Sequence, residues 1–210
     1  MDTYFTLTGA GGYPAPPGFI DGTISYAGGS AALVGKNIGI SHILDNLAGA
    51  SGPELVCEKC VLTFSTGPFA GTVPHEGTPD GYSFSGGGSL QIIGGVKSQD
   101  GNVSLPANTV LLTAVPTGAS TLIENGPLPV LPEVMLEFKN VVLHPKLRSL
   151  FSFPAGDFTG QLLIASGDTA SLNNPPNPFV LSKFVGTHFF EPSYVLVMTD
   201  TNQAVSLQKG

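Results

Sequence analysis

Glycine and proline recur along the whole chain, with 28 Gly and 18 Pro among 210 residues. Neither residue suits the interior of a helix, because Gly loses much backbone entropy there and Pro lacks an amide hydrogen. Apolar residues nonetheless make up 41% of the chain. They must therefore be buried through many short segments joined by tight turns. This balance predicts an all-β protein, and the positive mean hydropathy of +0.24 argues against disorder.

Turn residues separate short runs of β-branched and aromatic residues, at intervals too small for crossover helices. The candidate strands are residues 22–26, 32–34, 38–43, 55–64, 82–84, 89–93, 109–115, 134–138, 161–165, 180–184 and 194–199. Their spacing predicts an antiparallel β-sandwich or flattened barrel. We expect a single domain over residues 1–210, with an irregular N-terminal arm over residues 1–18.

One segment departs from the strand pattern. Pro145 stands at a plausible first helical position, and Leu147, Leu150 and Phe151 follow with the spacing of one helix face. We expect a short helix over residues 145–151 that caps an open end of the sheet.

The net charge is −7, and it arises from only 23 charged side chains. No basic patch is present that could hold a phosphate backbone, so nucleic acid is not an expected partner. No run approaches the roughly 18 apolar residues of a membrane helix. The start of the sequence lacks the charged and apolar regions of a signal peptide. Low charge, abundant small polar residues and scarce lysine are nevertheless typical of secreted bacterial β-proteins, so we expect a secreted or cell-surface location.

The two cysteines, Cys57 and Cys60, form a C-x-x-C motif. Four interpretations are open: a structural disulfide, free thiols, a metal site and a redox dithiol. A redox pair normally lies at a helix N-terminus that lowers the thiol pKa, whereas this motif leads into a run typical of a strand. Two further ligands would be needed for zinc, and His42 and His75 have no pairing spacing. The context favours a structural disulfide that closes a tight loop.

No catalytic motif is present, and most acidic residues lie in turn settings where Asp bonds its own backbone. Two of these acids across a cleft could serve a glycoside hydrolase if they were about 5 to 10 Å apart. Asp100 and Asn102 are a candidate Ca²⁺ site, because they offer clustered oxygen ligands. The neighbouring sequon, Asn102-Val103-Ser104, is expected to carry no meaning in a bacterial protein.

Aromatic residues give a weak indication of ligand binding. The chain has no Trp, 5 Tyr and 13 Phe, which favours core packing over a sugar-binding surface. The tyrosines that could stack on a ligand are Tyr13, Tyr26, Tyr82 and Tyr194.

Three stretches carry a family resemblance, namely residues 55–67 with the C-x-x-C motif, the Gly-rich residues 82–95, and residues 150–162. Together they resemble the ectodomains of secreted bacterial proteins of the PEP-CTERM class, over residues 20–165 of this chain. The Pro-Glu-Pro sorting signal is absent from residues 205–210, which leaves surface anchoring open. The resemblance implies an exported protein of the cell envelope or exopolysaccharide matrix, in which Cys57 and Cys60 form an oxidised pair.

These observations predict a secreted, non-enzymatic structural or adhesive module whose partners are extracellular polysaccharide or other matrix proteins. A β-sandwich that binds a polysaccharide or an apolar ligand is the first alternative. A carboxylate-dependent glycoside hydrolase is the second. No cofactor is expected beyond the candidate Ca²⁺ site.

Overall fold

The computed structural model describes residues 3–8, 22–45, 54–75, 78–123, 132–151, 158–166, 176–182 and 193–200. Within these ranges the chain forms strands and one short helix. The strands are β1 (Thr3–Thr8), β2 (Thr23–Tyr26), β3 (Ala32–Asp45), β4 (Glu54–His75), β5 (Thr78–Ser85), β6 (Ser89–Ser98), β7 (Ser104–Ile123), β8 (Pro132–Leu143), β9 (Phe158–Ala165), β10 (Phe179–Leu181) and β11 (Ser193–Asp200). The helix is α1 (Pro145–Leu150).

Backbone pairing joins eight strands into a closed circuit, in the order β1, β3, β4, β6, β7, β8, β9, β11 and back to β1. Every pair in the circuit is antiparallel. Strand β2 extends the sheet beside β3, and β10 pairs with β2. The prediction of an all-β, antiparallel sandwich or flattened barrel is confirmed. Along the paired stretches, closure of the circuit gives each strand a neighbour on both sides and so leaves fewer unpaired backbone groups at strand edges.

Strands β5 and β6 behave as two segments of one long strand. Both run antiparallel to β4 and both pair with β7, and residues 86–88 lie between them. Small residues face this break on both sides: Gly67 on β4 and Gly118 on β7. The amide of Gly87 donates to the carbonyl of Pro116 at 2.9 Å. A Cβ on Gly67 would clash with the carbonyl oxygen of Gly86, so glycine allows the neighbouring backbones to approach closely here.

The core lies inside the barrel because inward and outward side chains alternate along each strand. On β8, for example, Val134, Leu136 and Phe138 are all buried, whereas Glu137 is exposed. Helix α1 adds Leu147 to this core, and Phe151 follows it. The amide of His144, at the start of the helix, donates to the carbonyl oxygen of Leu111 on β7 at 2.9 Å. The predicted helix is therefore confirmed, and it covers core side chains.

Two expectations need correction. Residues 3–8 form strand β1, paired between β3 and β11, so the irregular arm predicted over 1–18 is wrong for this part. Residues 9–18 lie outside the described residues. The runs predicted at 32–34 and 38–43 are one strand, β3, because a register shift and the positive φ of Asn37 accommodate the interruption without ending the pairing.

No helix among the described residues is long and apolar enough to cross a membrane.

Candidate functional site

Cys57 and Cys60 lie near the start of β4 and form a disulfide. On one side, Val56 pairs with His42 and Cys60 pairs with Ile40, so β4 has two extra residues against β3. On the other side, Glu58 and Val61 pair with Gly95 and Ile93 of β6, again with a register shift. The disulfide therefore closes a β-bulge, which we call the stapled bulge (residues 57–60). Lys59 at its tip has a φ of 55°, a conformation that the tight loop requires.

Both sulfurs of the stapled bulge face the core. Cys57 and Cys60 are each only 2% exposed, and Sγ of Cys60 lies 3.2 Å from the carbonyl oxygen of Gly95. A redox partner cannot reach sulfurs buried in this way, and the strand context provides no helix N-terminus to lower a thiol pKa. The structural disulfide is the interpretation that the geometry supports.

The outer side of the stapled bulge is polar. The carboxylate of Glu58 lies 3.9 Å from Nζ of Lys97 on β6, and these side chains are 57% and 67% exposed. Because solvent screens such a pair, it contributes little to stability. The bulge thus joins an apolar inner side to a charged outer side.

Tyr26 and Tyr82 do not lie at the surface. Each is 1% exposed, and both belong to an aromatic cluster of Tyr26, Phe69, Tyr82, Phe84 and Phe179. The centroids of Tyr26 and Tyr82 are 5.6 Å apart, and those of Tyr82 and Phe179 are 4.9 Å apart, both edge to face. The hypothesis that these two tyrosines stack on a surface ligand is therefore wrong, because their rings pack against one another in the core.

The hydroxyl groups of the two tyrosines bond to carbonyl oxygens. Tyr26 donates to Gly29 at 2.6 Å and Tyr82 donates to Asn177 at 3.0 Å. Burial raises the pKa of the Tyr26 phenol above its ordinary value. Burial likewise raises the pKa of Tyr82, and the nearby Tyr26 raises it further. Both phenols stay protonated where an exposed tyrosine would ionise.

For the other two tyrosines the structure describes at most the backbone. Tyr13 lies outside the described residues. The backbone of Tyr194 belongs to β11, where it pairs with Leu7 of β1. Stacking by either residue stays a prediction.

Asp100 and Asn102 form the turn of the β6–β7 hairpin. Oδ1 of Asp100 accepts from Oγ of Ser98 at 2.5 Å and from the amide of Asn102 at 3.0 Å, while Oδ2 accepts from Nδ2 of Asn102 at 2.7 Å. These hydrogen bonds lower the pKa of Asp100, with Ser98 the largest cause. The carboxylate is occupied by its own turn, and no metal-binding group of three or more His, Cys, Asp or Glu side chains occurs in the part of the chain that the structure describes. The arrangement is that of an acid that stabilises its own turn, and the Ca²⁺ site stays a prediction.

The described histidines and acids occupy separate places. His144 caps helix α1, where its Nδ1 accepts from the amide of Lys146 at 3.3 Å, and Nδ1 of His42 lies 3.0 Å from Oγ of the buried Ser41. Glu133 and Glu137 both lie on the outer face of β8. Their Cα atoms are about 13 Å apart, since they lie four residue steps apart along the strand.

The sequence interpretation missed the role of Gly94. It pairs with Thr109 of β7, and the space beside it holds the disulfide. A Cβ on Gly94 would lie 2.5 Å from Cα of Cys60 and 2.6 Å from its Sγ. A Gly-Gly pair inside a strand pattern indicates such a close approach, although the sequence does not name the partner.

Comparison of the chain with protein-family models, with curated proteins and with solved structures gave no match.

Proposed function

We propose that the chain is an exported, non-enzymatic structural or adhesive module of the bacterial cell envelope or extracellular matrix. The observation that carries this proposal is the buried Cys57–Cys60 disulfide. Disulfides persist in oxidising compartments, whereas the cytosol keeps most thiols reduced. The resemblance of residues 55–67 to PEP-CTERM ectodomains agrees with export.

The closed sheet favours a module that acts through its faces. Each strand of the circuit pairs with a neighbour on both sides over part of its length. Strand β10, which pairs with β2, is only three residues long. An assembly built by adding strands edge to edge needs a long, unprotected edge strand. The outer faces are thus the surface on which polysaccharide or a matrix protein would lie.

The alternatives receive less support from the described residues. The aromatic cluster fills its own space with ring-to-ring contacts, which argues against using these rings for an apolar ligand or a sugar. A hydrolase would need two carboxylates that face one cleft, whereas Glu133 and Glu137 lie on the outer face of β8. Both alternatives remain outcomes of the experiment below.

The experiment exports the chain to an oxidising compartment, alkylates free thiols without reduction, and measures the intact mass. The same protein is then mixed with insoluble bacterial exopolysaccharide. Co-sedimentation and release of reducing sugar ends are measured together. We expect that no cysteine is alkylated. We also expect that the protein is retained on the polysaccharide and that it releases no reducing sugar ends. Alkylated cysteines would contradict export, sugar release would favour the hydrolase, and a soluble, unretained protein would contradict an adhesive role.

The matched control is the Cys57→Ala/Cys60→Ala variant. It lacks both sulfurs but keeps the outer faces of the barrel, so we expect it to be retained on the polysaccharide wherever it folds. Loss of retention in a folded double variant would assign binding to the stapled bulge itself.

A further inference from the structure

The tip of the β6–β7 hairpin holds the only Asn-x-Ser/Thr sequon of the chain, Asn102-Val103-Ser104. Asp100 places a carboxylate two residues before the acceptor. An exposed turn of an exported protein is the setting in which the asparagine of a sequon is accessible to modification.

The surroundings of Asn102 have room for a glycan. Asp100, Gly101, Asn102 and Ser104 are all exposed. A Cβ built on Gly101 would meet no atom within 4 Å. A sugar attached to Nδ2 of Asn102 would extend into solvent from the hairpin tip, away from the core.

The hydrogen bonds of the turn are compatible with modification. Nδ2 of Asn102 donates to Oδ2 of Asp100 at 2.7 Å. A glycosylated asparagine keeps one hydrogen on Nδ2, so this bond can form again beside the sugar. The backbone bond from Asn102 to Asp100 involves no atom that reacts.

The folded hairpin, however, restricts access to the middle of the sequon. Val103 is 8% exposed. Its amide donates to Oγ of Ser98 at 2.9 Å, and its carbonyl accepts from the amide of Ser98 at 2.9 Å. An enzyme that binds the acceptor as an extended segment must displace these bonds. The reaction is therefore favoured before the hairpin closes.

We propose that Asn102 is an N-glycosylation site, modified on the exported chain before the β6–β7 hairpin folds. Nδ2 of Asn102 attacks the anomeric carbon of a glycan carried on a lipid diphosphate. A C–N bond forms while the C–O bond to phosphate breaks, the lipid diphosphate leaves with the electron pair, and the amide nitrogen gives one proton to a base of the transferase. The modification rests on the export that the proposed function requires.

The test expresses the full chain with a secretion leader in bacteria that carry an asparagine-directed oligosaccharyltransferase and its lipid-linked glycan. Intact mass and peptide mapping are then measured. We expect the wild type to gain the mass of one glycan, located on Asn102. Asn102→Gln and Ser104→Ala should lose this mass shift, because each removes a residue that the sequon requires.

The Ser98→Ala variant tests the order of events. It keeps all three residues of the sequon but removes the bonds from Oγ to Val103 and Asp100, so the modified fraction should rise above that of the wild type. An equal or smaller fraction would overturn the proposed timing. An unmodified wild type, in cells whose own acceptor protein is glycosylated, would overturn the site. That result with an intact Cys57–Cys60 disulfide would leave the proposed function untouched, whereas free thiols would count against export.

Discussion

Cys60 occupies the space in which Gly94 would carry a side chain. The Cα of Cys60 and its Sγ lie 2.5 Å and 2.6 Å from the position of a Cβ on Gly94. The disulfide can therefore enter the core only because the adjacent strand offers a residue without a side chain. This relationship joins two features that are 34 residues apart in the sequence.

Replacing Gly94 with Ala should destabilise the protein. The new methyl group meets backbone as well as sulfur, so the strands must move apart, and overpacking of this kind costs about 1–3 kcal/mol. Urea unfolding measures the change in the free energy of unfolding. Gly118→Ala is the control, because the nearest atom there is the carbonyl oxygen of Phe84 at an ordinary 3.6 Å. Equal losses in the two variants would refute the close packing of Gly94 against the disulfide.

Removing the disulfide should lower stability by a modest amount. The loop is short, with a sequence separation of 3, and chain entropy predicts about 2 kcal/mol for a loop of this size. The Cys57→Ala/Cys60→Ala variant should unfold at lower urea than the oxidised wild type. Added reductant should destabilise the wild type and leave the double variant unchanged. If complete reduction left the urea midpoint of the wild type unchanged, a stabilising role of the disulfide would be contradicted.

Lys59→Asn should stabilise the stapled bulge. Among the described residues with positive φ other than glycine, Asn37, Asn108 and Asn140 are asparagines, and Lys59 is the exception. Asparagine tolerates this conformation better than lysine, so we expect a gain of up to about 1 kcal/mol. Thermal unfolding provides the measurement. Lys139→Asn, at an exposed strand position without positive φ, should give no gain, and a similar gain there would show that the backbone conformation is not the cause.

Alkaline conditions should destabilise the aromatic cluster. The pKa values of Tyr26 and Tyr82 are raised in the folded protein, so the folded state keeps protons that the unfolded state loses above a pH of about 10. Their contribution is complete below the unfolded pKa and is lost as the pH rises through the folded pKa. The urea midpoint of the wild type should therefore fall above a pH of about 10.

The Tyr26→Phe/Tyr82→Phe variant provides the control for that titration. It loses the bonds to Gly29 and Asn177, each worth about 1 kcal/mol, and starts from a lower midpoint near neutral pH. As the pH rises, the urea midpoint of the variant should fall by less than that of the wild type. If the urea midpoints of both proteins fell by the same amount, the alkaline transition would belong to groups other than these two tyrosines.

The local features of this fold could be read from residue types. Pro145 and the apolar spacing after it predicted helix α1, because both act within one helical turn. The context of Cys57 and Cys60 likewise favoured a disulfide over a redox pair, since the following residues suit a strand. Strand β1 was missed because it directly precedes a Gly-rich stretch that was read together with it as an irregular arm. Its pairing with β3 and β11 places it in the sheet.

The sequence by itself determined the class of protein: frequent Gly and Pro with many apolar residues favour paired strands and little helix. It also determined the turn at Asp100, whose hydrogen bonds lie within a few residues. Only the tertiary structure decided that Tyr26 and Tyr82 point into the core, and that Gly94 faces Cys60. The direction of a side chain depends on strand register, and register is fixed by pairing between distant segments, where a shift of one residue exchanges the two faces of a strand.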